Sequence, residues 1–235
     1  MSSSKPFRHE LKYAITYAEA EILKSRFGVI LQLDPNAGSN GYFIRSLYFD
    51  DLWETAYTEK SAGTDSRKKY RIRIYNGQQD VIRLECKRKE GQYIQKISAP
   101  LSMQELEWME NGQYDFLRER EEPVCRQFYL DHSMRAMHPA ILVDYDRIPY
   151  VYPYGDVRIT LDQHVRAGVF ERDIFDLQSP VFEVLEPGQL ILEVKFTEYL
   201  PDVVRDLLRV DDSEYVAASK YVMCLEKKKE LQVLQ

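Results

Sequence analysis

Glu193 and Lys195 stand two positions apart in the run LILEVKF, with Leu192 and Val194 around and between them. Residues two apart on a β-strand share a face. The carboxylate and the ammonium are therefore side by side, and the apolar residues form the opposite wall. The same spacing recurs in Glu10 and Lys12, in Arg71 and Arg73, and in Arg83, Glu85 and Lys87. It recurs again in Tyr145 and Arg147, and in Arg158, Thr160 and Asp162. Leu11, Ile72, Ile74, Leu84, Cys86, Ile159 and Leu161 alternate with these charges. Arginine forks and lysine point charges suit phosphate oxygens. A few carboxylates among them suit Mg2+ or Mn2+, which take oxygen ligands and bridge protein to phosphate.

These charges need a scaffold. FRHELKYAI, GYFIRSLYFDD, KKYRIRIY, DVIRLECKRK, GQYIQKISAPL, PAILVDYDRIPYVY, DVRITLDQHVRAG and QLILEVKF read as eight strands, mostly joined by short turns. Asn76-Gly77 between two β-rich runs is a hairpin signal. Thr16 to Glu19 and Ser102 to Glu105 match helix capping boxes. They predict a helix over 17–33, with Ile22, Leu23, Phe27 and Ile30 on one side, and a helical region from 103 to about 137. The chain reads as helical again from Leu200 to its end. Regular strand–helix alternation is absent, which excludes a doubly wound parallel sheet. The fold class expected is α+β: an eight-stranded antiparallel barrel or tunnel with helices packed outside, forming one domain over 1–235.

The charged face of such a barrel could be its solvated exterior. The amphipathic helices argue otherwise, because their apolar faces need partners and the apolar strand faces supply them. Helices outside put the charges in the lumen. A lumen lined by unpaired cations is costly, and becomes reasonable if it is wide, wet and meant for a polyanion.

Composition bounds the alternatives. The 235 residues carry a formal net charge of −6, which argues against a nucleic-acid-coating protein, although a cleft can focus a local positive field. Cys86, Cys125 and Cys224 form no CxxC pair, so neither zinc nor a disulfide framework is expected, and a reducing, cytoplasmic location fits. No apolar signal core or bilayer-length run is present. His9, His132, His138 and His164 lack metal-ligand spacing. Cys86 reads as core, and no phosphate-binding glycine loop of the P-loop type occurs.

RHELKY, SLYFDD, KYRIRIY, LECKRK, DYDR, RITLD, LILEVK and SKY follow one another from Phe7 to Tyr221. In this order they resemble the polyphosphate polymerase (VTC) domain of the triphosphate tunnel metalloenzymes. The resemblance implies an eight-stranded tunnel and a metal-dependent transfer of the ATP γ-phosphate to a growing polyphosphate chain. By motif it implies Lys12, Arg71, Arg73, Lys87, Arg147 and Lys195 as catalytic phosphate ligands. Lys96, Tyr145, Arg158, Ser219 and Lys220 would be further substrate contacts. Glu193 would be the main ligand of Mn2+ or Mg2+, with Glu10 and Glu85 either joining it or orienting a lysine. ATP and polyphosphate or triphosphate are the implied partners. A membrane-protein partner is conceivable by analogy with eukaryotic relatives, whose membrane helices and extra domain this sequence lacks.

One departure concerns Arg8. The triphosphatase and cyclase branch opens with Glu-x-Glu-x-Lys, and here Arg8, Glu10 and Lys12 occupy those positions. This favours polymerase over hydrolysis. Hydrolysis of triphosphate and non-enzymatic polyphosphate binding stand as the competing readings.

Overall fold

The computed structural model describes residues 8–91, 93–168, 173–209 and 214–233. Phe7, at the expected start of the first strand, and 234–235, in the expected C-terminal helix, lie outside them.

The eight expected strands are present: β1 (His9–Thr16), β3 (Tyr42–Asp50), β4 (Ser66–Tyr75), β5 (Arg83–Glu90), β6 (Tyr93–Pro100), β7 (His138–Val151), β8 (Arg158–Gly168) and β10 (Gln189–Phe196). Two-residue strands β2 (Gln32–Leu33), β9 (Phe182–Glu183) and β11 (Glu214–Tyr215) extend the sheet. Its order is β11-β1-β10-β8-β7-β3-β4-β5-β6, with antiparallel pairing throughout. The two ends of this path approach each other. An isolated bridge joins Arg8 to Ile94 of β6, and across the same seam Lys87 of β5 donates to Glu10 of β1 at 2.6 Å.

Alternation sorts the two faces. Leu190, Leu192 and Val194 of β10 pack outward with Ile159 and Leu161 of β8 and with Ala20, Leu23 and Phe27 of α1 (Tyr17–Ile30). Tyr70, Ile72 and Ile74 of β4 and Leu84 and Cys86 of β5 pack outward on α3 (Met103–Glu110) and α4 (Pro123–Arg135). Each buried Leu, Ile or Val contributes roughly 1.5–3 kcal/mol, so these helices hold the charged face inward by claiming the apolar one.

Both capping boxes form, at Thr16 with Glu19 and at Ser102 with Glu105. Asn76 and Gly77 take positive φ of 54° and 66°. A side chain at Gly77 would meet Leu177 at 2.6 Å. The first helix stops at Ile30, because Gln32–Leu33 pairs with β7. Its buried stripe is Ala20, Leu23 and Phe27, while Ile22 is 48% exposed. The expected helical region 103–137 is interrupted at Gly112 (φ 75°) and again before Pro123, which opens α4.

The C-terminal region is likewise not one helix. α5 (Asp202–Leu207) and α6 (Lys220–Val233) are separated by β11, which pairs with β1 through Tyr13 and Tyr215. The extended segment holds its course by bonds to Lys12: the Val216 amide donates to the Lys12 carbonyl at 2.9 Å, and the Lys12 ammonium donates to the Ala218 carbonyl at 2.9 Å. α6 then packs Tyr221, Cys224 and Leu225 against Ile44, Val143 and Ile191, on the inner face of the sheet rather than the outer. Among the described residues no helix is long and apolar enough to cross a membrane.

Candidate functional site

The inward face encloses a cavity of about 510 Å3. Among the described residues, fourteen lysines and arginines line it against two glutamates, Glu10 and Glu193. In a chain of net charge −6, the positive potential is therefore concentrated inside. Lys12, Arg71, Arg73, Lys87, Lys96, Tyr145, Arg147, Arg158, Lys195, Ser219 and Lys220 all reach it. Strand alternation delivers them from β1, β4, β5, β6, β7, β8 and β10, and the segment before α6 delivers Ser219.

Glu10 and Glu193 form the acidic centre. Register places Glu10 opposite Lys195 and Lys12 opposite Glu193. The Lys12 ammonium bridges the two carboxylates, 3.1 Å from Glu10 Oε1 and 3.7 Å from Glu193 Oε1. Lys195 donates to Glu193 Oε2 at 2.9 Å, and Arg147 donates to the same oxygen at 3.2 Å. Burial opposes the Glu193 charge, yet Lys195, Lys12 and Arg147 hold its carboxyl well below the usual range. Glu10 is also lowered: burial and Glu193 raise it, and Lys87 and Lys12 outweigh them. Burial likewise works against the charge of Lys12, which the two glutamates nevertheless raise above the ordinary lysine value.

These two carboxylates stay ionised and supply hard oxygen donors. Among the described residues no group of three or more acidic, His or Cys side chains gathers as a metal cage. The donor set fits Mg2+ or Mn2+ held by one or two carboxylates and completed by phosphate oxygens and water. The Thr160 hydroxyl, on the residue paired across the ladder with Glu193, is buried without a hydrogen-bond partner among the described residues.

Glu85 does different work. Arg71 donates to its Oε2 through Nε and Nη2 at 2.9 and 2.7 Å, and Lys96 donates to Oε1 at 2.7 Å. The carboxylate is 1% exposed and is not part of the cavity lining. Glu10 and Glu193 also meet cations but line the cavity, whereas Glu85 lies outside the lining, behind Arg71 and Lys96, away from the other glutamates. Arg73 completes this wall by donating to the Tyr145 hydroxyl at 2.8 Å and to Ser46 Oγ at 3.2 Å.

Asp162 is the matching support on the other wall. It takes Arg147 in a fork at 2.6 and 2.7 Å and pairs with Lys220 at 2.6 Å. Burial raises its carboxyl, but Arg147 and Lys220 bring it down to about 2. Lys220 also lies 4.8 Å from the centre of the Tyr145 ring, a cation–π distance. Arg158 reaches the Tyr42 hydroxyl at 2.9 Å and Asp34 at 2.8 Å.

Sequence reasoning missed Lys69, Arg67, Lys60 and Lys89, all of which line the cavity. Arg67 and Lys69 continue the odd-numbered face of Arg71 and Arg73, and Lys89 continues that of Lys87, so the same alternation carried two residues further finds them. Lys60 comes from α2 (Thr55–Ser61) and has no such signal. Arg83 shares the parity of Lys87 but is exposed and does not line the cavity. Of the four histidines, only His9 lines the cavity, and it stacks on Phe196. The aspartates of SLYFDD cap structure instead of facing ligand. Asp50 accepts from the Ala56 amide at 2.9 Å and from the Tyr221 hydroxyl at 2.5 Å, tying α6 to β3.

The fold has known counterparts. No curated protein matches the chain. Among solved structures, the Hippeastrum protein HpAC1, described with a dominant triphosphatase activity, superposes with a TM-score of 0.53 at 14% identity, covering 95% of this chain and 96% of its own. The Pyrococcus horikoshii protein PH1819 gives 0.46 at 16% identity, covering 94% and 99%. At these identities the first shows a common fold and nothing finer. The sequence profile of the VTC domain matches residues 7–228, nearly the whole length. The chain therefore belongs to the VTC domain family.

Proposed function

We propose that this chain is a metal-dependent polyphosphate polymerase that transfers the γ-phosphate of ATP to a polyphosphate chain held in the basic tunnel. The observation that carries this reading is the charge state of the cavity. Its two carboxylates are both pinned by lysines and held below the usual range, among fourteen cations. Such carboxylates are weak bases, poorly suited to taking a proton from water. A terminal phosphate oxyanion needs no such help, and phosphoryl transfer depends on positioning and charge neutralisation. Arg8 also supports the polymerase reading. It is drawn to Asp156 at 3.0 Å and adds a cation, not a carboxylate, to the lining.

In this reading Arg71, Arg73, Arg147 and Arg158 grip phosphate oxygens as forks, and Lys12, Lys87, Lys96, Lys195 and Lys220 act as point charges. Tyr145 and Ser219 add hydroxyl contacts. Glu193, with Glu10, would hold Mn2+ or Mg2+, which supplies charge neutralisation on the transferring phosphoryl group. Glu85 and Asp162 position the arginines. The reacting phosphates are thereby aligned along one channel whose charges are arranged before substrate arrives.

Hydrolysis of triphosphate by the same tunnel is the second reading, suggested by the shared fold with the Hippeastrum protein. Incubation with ATP and Mn2+ separates the two. Long polymer on a gel supports the polymerase, whereas orthophosphate without polymer supports the hydrolase and overturns the first reading.

A further inference from the structure

Lys12, Lys87, Lys195, Lys96 and Lys220 each face a carboxylate: Glu10 and Glu193 for the first, Glu10 for the second, Glu193 for the third, Glu85 for the fourth and Asp162 for the last. Lys69 is arranged differently. It lies on β4 across the ladder from Lys87, and its ammonium donates to Ser219 Oγ at 2.8 Å. It stands 5.2 Å from the centre of the Tyr221 ring. No ion pair to Lys69 is found among the described residues.

We propose that Lys69 is a further phosphate-binding residue of the tunnel, held by Ser219 and Tyr221 at the α6 side and recruited, with a proton, by the incoming polyanion. The inference rests on the tunnel's being a polyphosphate site.

The groups around it explain both halves of this proposal. Lys87 faces it from β5, Lys12 from β1, Lys60 from α2 and Arg67 from its own strand, and each of these cations opposes its charge. Ser219, Lys220 and Tyr221 close it off from the α6 side. Asp50 lies behind Tyr221 and accepts from the tyrosine hydroxyl. Glu10 of β1, the strand that carries Lys12, is engaged by Lys87 and Lys12. Burial, followed by these cations, pushes the Lys69 ammonium well below the ordinary lysine value. Glu10 and Asp50 are thus already engaged, and an arriving phosphate is an anion that can satisfy Lys69. Binding raises the affinity of Lys69 for a proton, so binding and proton uptake must be linked. The Ser219 hydroxyl, both donor and acceptor, holds the amine in either protonation state.

The test is calorimetric titration of the full chain with inorganic tripolyphosphate at pH 8.5, in two buffers of different ionisation enthalpy, which yields affinity and protons taken up. Lys69→Met should weaken binding by about tenfold or more, the cost of a lost hydrogen bond to a charged group. Lys69→Arg, whose guanidinium is always charged, should keep most of the affinity while taking up fewer protons than the parent. Thermal melting confirms that each variant is folded. Parent-like affinity in Lys69→Met, or unchanged proton uptake in Lys69→Arg, overturns the proposal while leaving the tunnel reading intact. Absence of tripolyphosphate binding in the parent chain overturns both.

Discussion

Glu193 and Lys195, two positions apart on β10, are joined by a 2.9 Å hydrogen bond, and the oxygen that receives it also receives Arg147 at 3.2 Å. The other Glu193 oxygen lies 3.7 Å from Lys12. One carboxylate thus ties three strands together at the middle of a cationic cavity. Glu193→Gln keeps the shape and removes the charge. Tripolyphosphate affinity should persist or rise, since the cations remain, whereas ATP turnover with Mn2+ should fall about a hundredfold or more, as when a preorganised electrostatic group is removed. Turnover close to the parent rate would assign Glu193 to structure and the metal elsewhere.

Glu85 should behave in the opposite way. Its buried carboxylate anchors Arg71 at 2.7 Å and Lys96 at 2.7 Å. Glu85→Gln breaks a buried ionic cluster and should cost about 3 kcal/mol of stability in denaturant unfolding. The Mn2+ concentration giving half-maximal activity should stay at the parent value. A marked rise in that concentration would return Glu85 to the metal ligands.

The contrast between these glutamates shows what strand parity can and cannot tell. Alternation identifies the face on which Glu10, Glu85 and Glu193 stand. It does not give the neighbours across the ladder, and these decide the role: Arg71 and Ser98 flank Glu85, while Lys12 and Thr160 flank Glu193. Alternation also fails at a bulge. Between Asp144 and Asp146 of β7, strand β8 runs from Arg166 to Gln163, one residue longer, with His164 at φ 51°. Asp162 faces inward, and beyond the bulge Val165 and Ala167, of the other parity, take that face. The long C-terminal periodicity suggested one helix because the chain's need to pass beside Lys12 and place Ser219 in the cavity leaves no mark in local propensity.

Asp162 gives an acid-stability prediction. Its carboxyl, lowered to about 2 by Arg147 and Lys220 against burial, is bound less tightly by protons when folded than when unfolded. Its contribution is therefore complete above the ordinary aspartate value and is lost as the pH falls through that value toward about 2. Asp162→Asn should be less stable than the parent at pH 7, and the difference should shrink as the solution is acidified over this window. Denaturant unfolding at a series of pH values measures it, and a difference that stayed constant down to pH 2 would contradict the linkage.

Lys96 gives the alkaline counterpart. Burial, only partly offset by Glu85, lowers its ammonium to about 8. A bound phosphate favours the charged form, so the free protein must take up a proton to bind once the pH exceeds that value. The Lys96 contribution to anion affinity is therefore complete below about 8 and decays as the pH rises through it. The last ionisation of tripolyphosphate also falls in the alkaline range, but it is common to parent and variant, so the difference between their slopes belongs to the protein. Tripolyphosphate affinity should fall between pH 7.5 and 9.5, by at most about tenfold per pH unit for each proton taken up. Lys96→Arg keeps its charge throughout, so its affinity should decline less steeply than the parent's. The residual slope is shared by the anion's own last ionisation and by Lys69 and Lys87, whose ammonium groups are also lowered. Parallel slopes for parent and Lys96→Arg would mean that Lys96, although it lines the cavity, does not meet the anion.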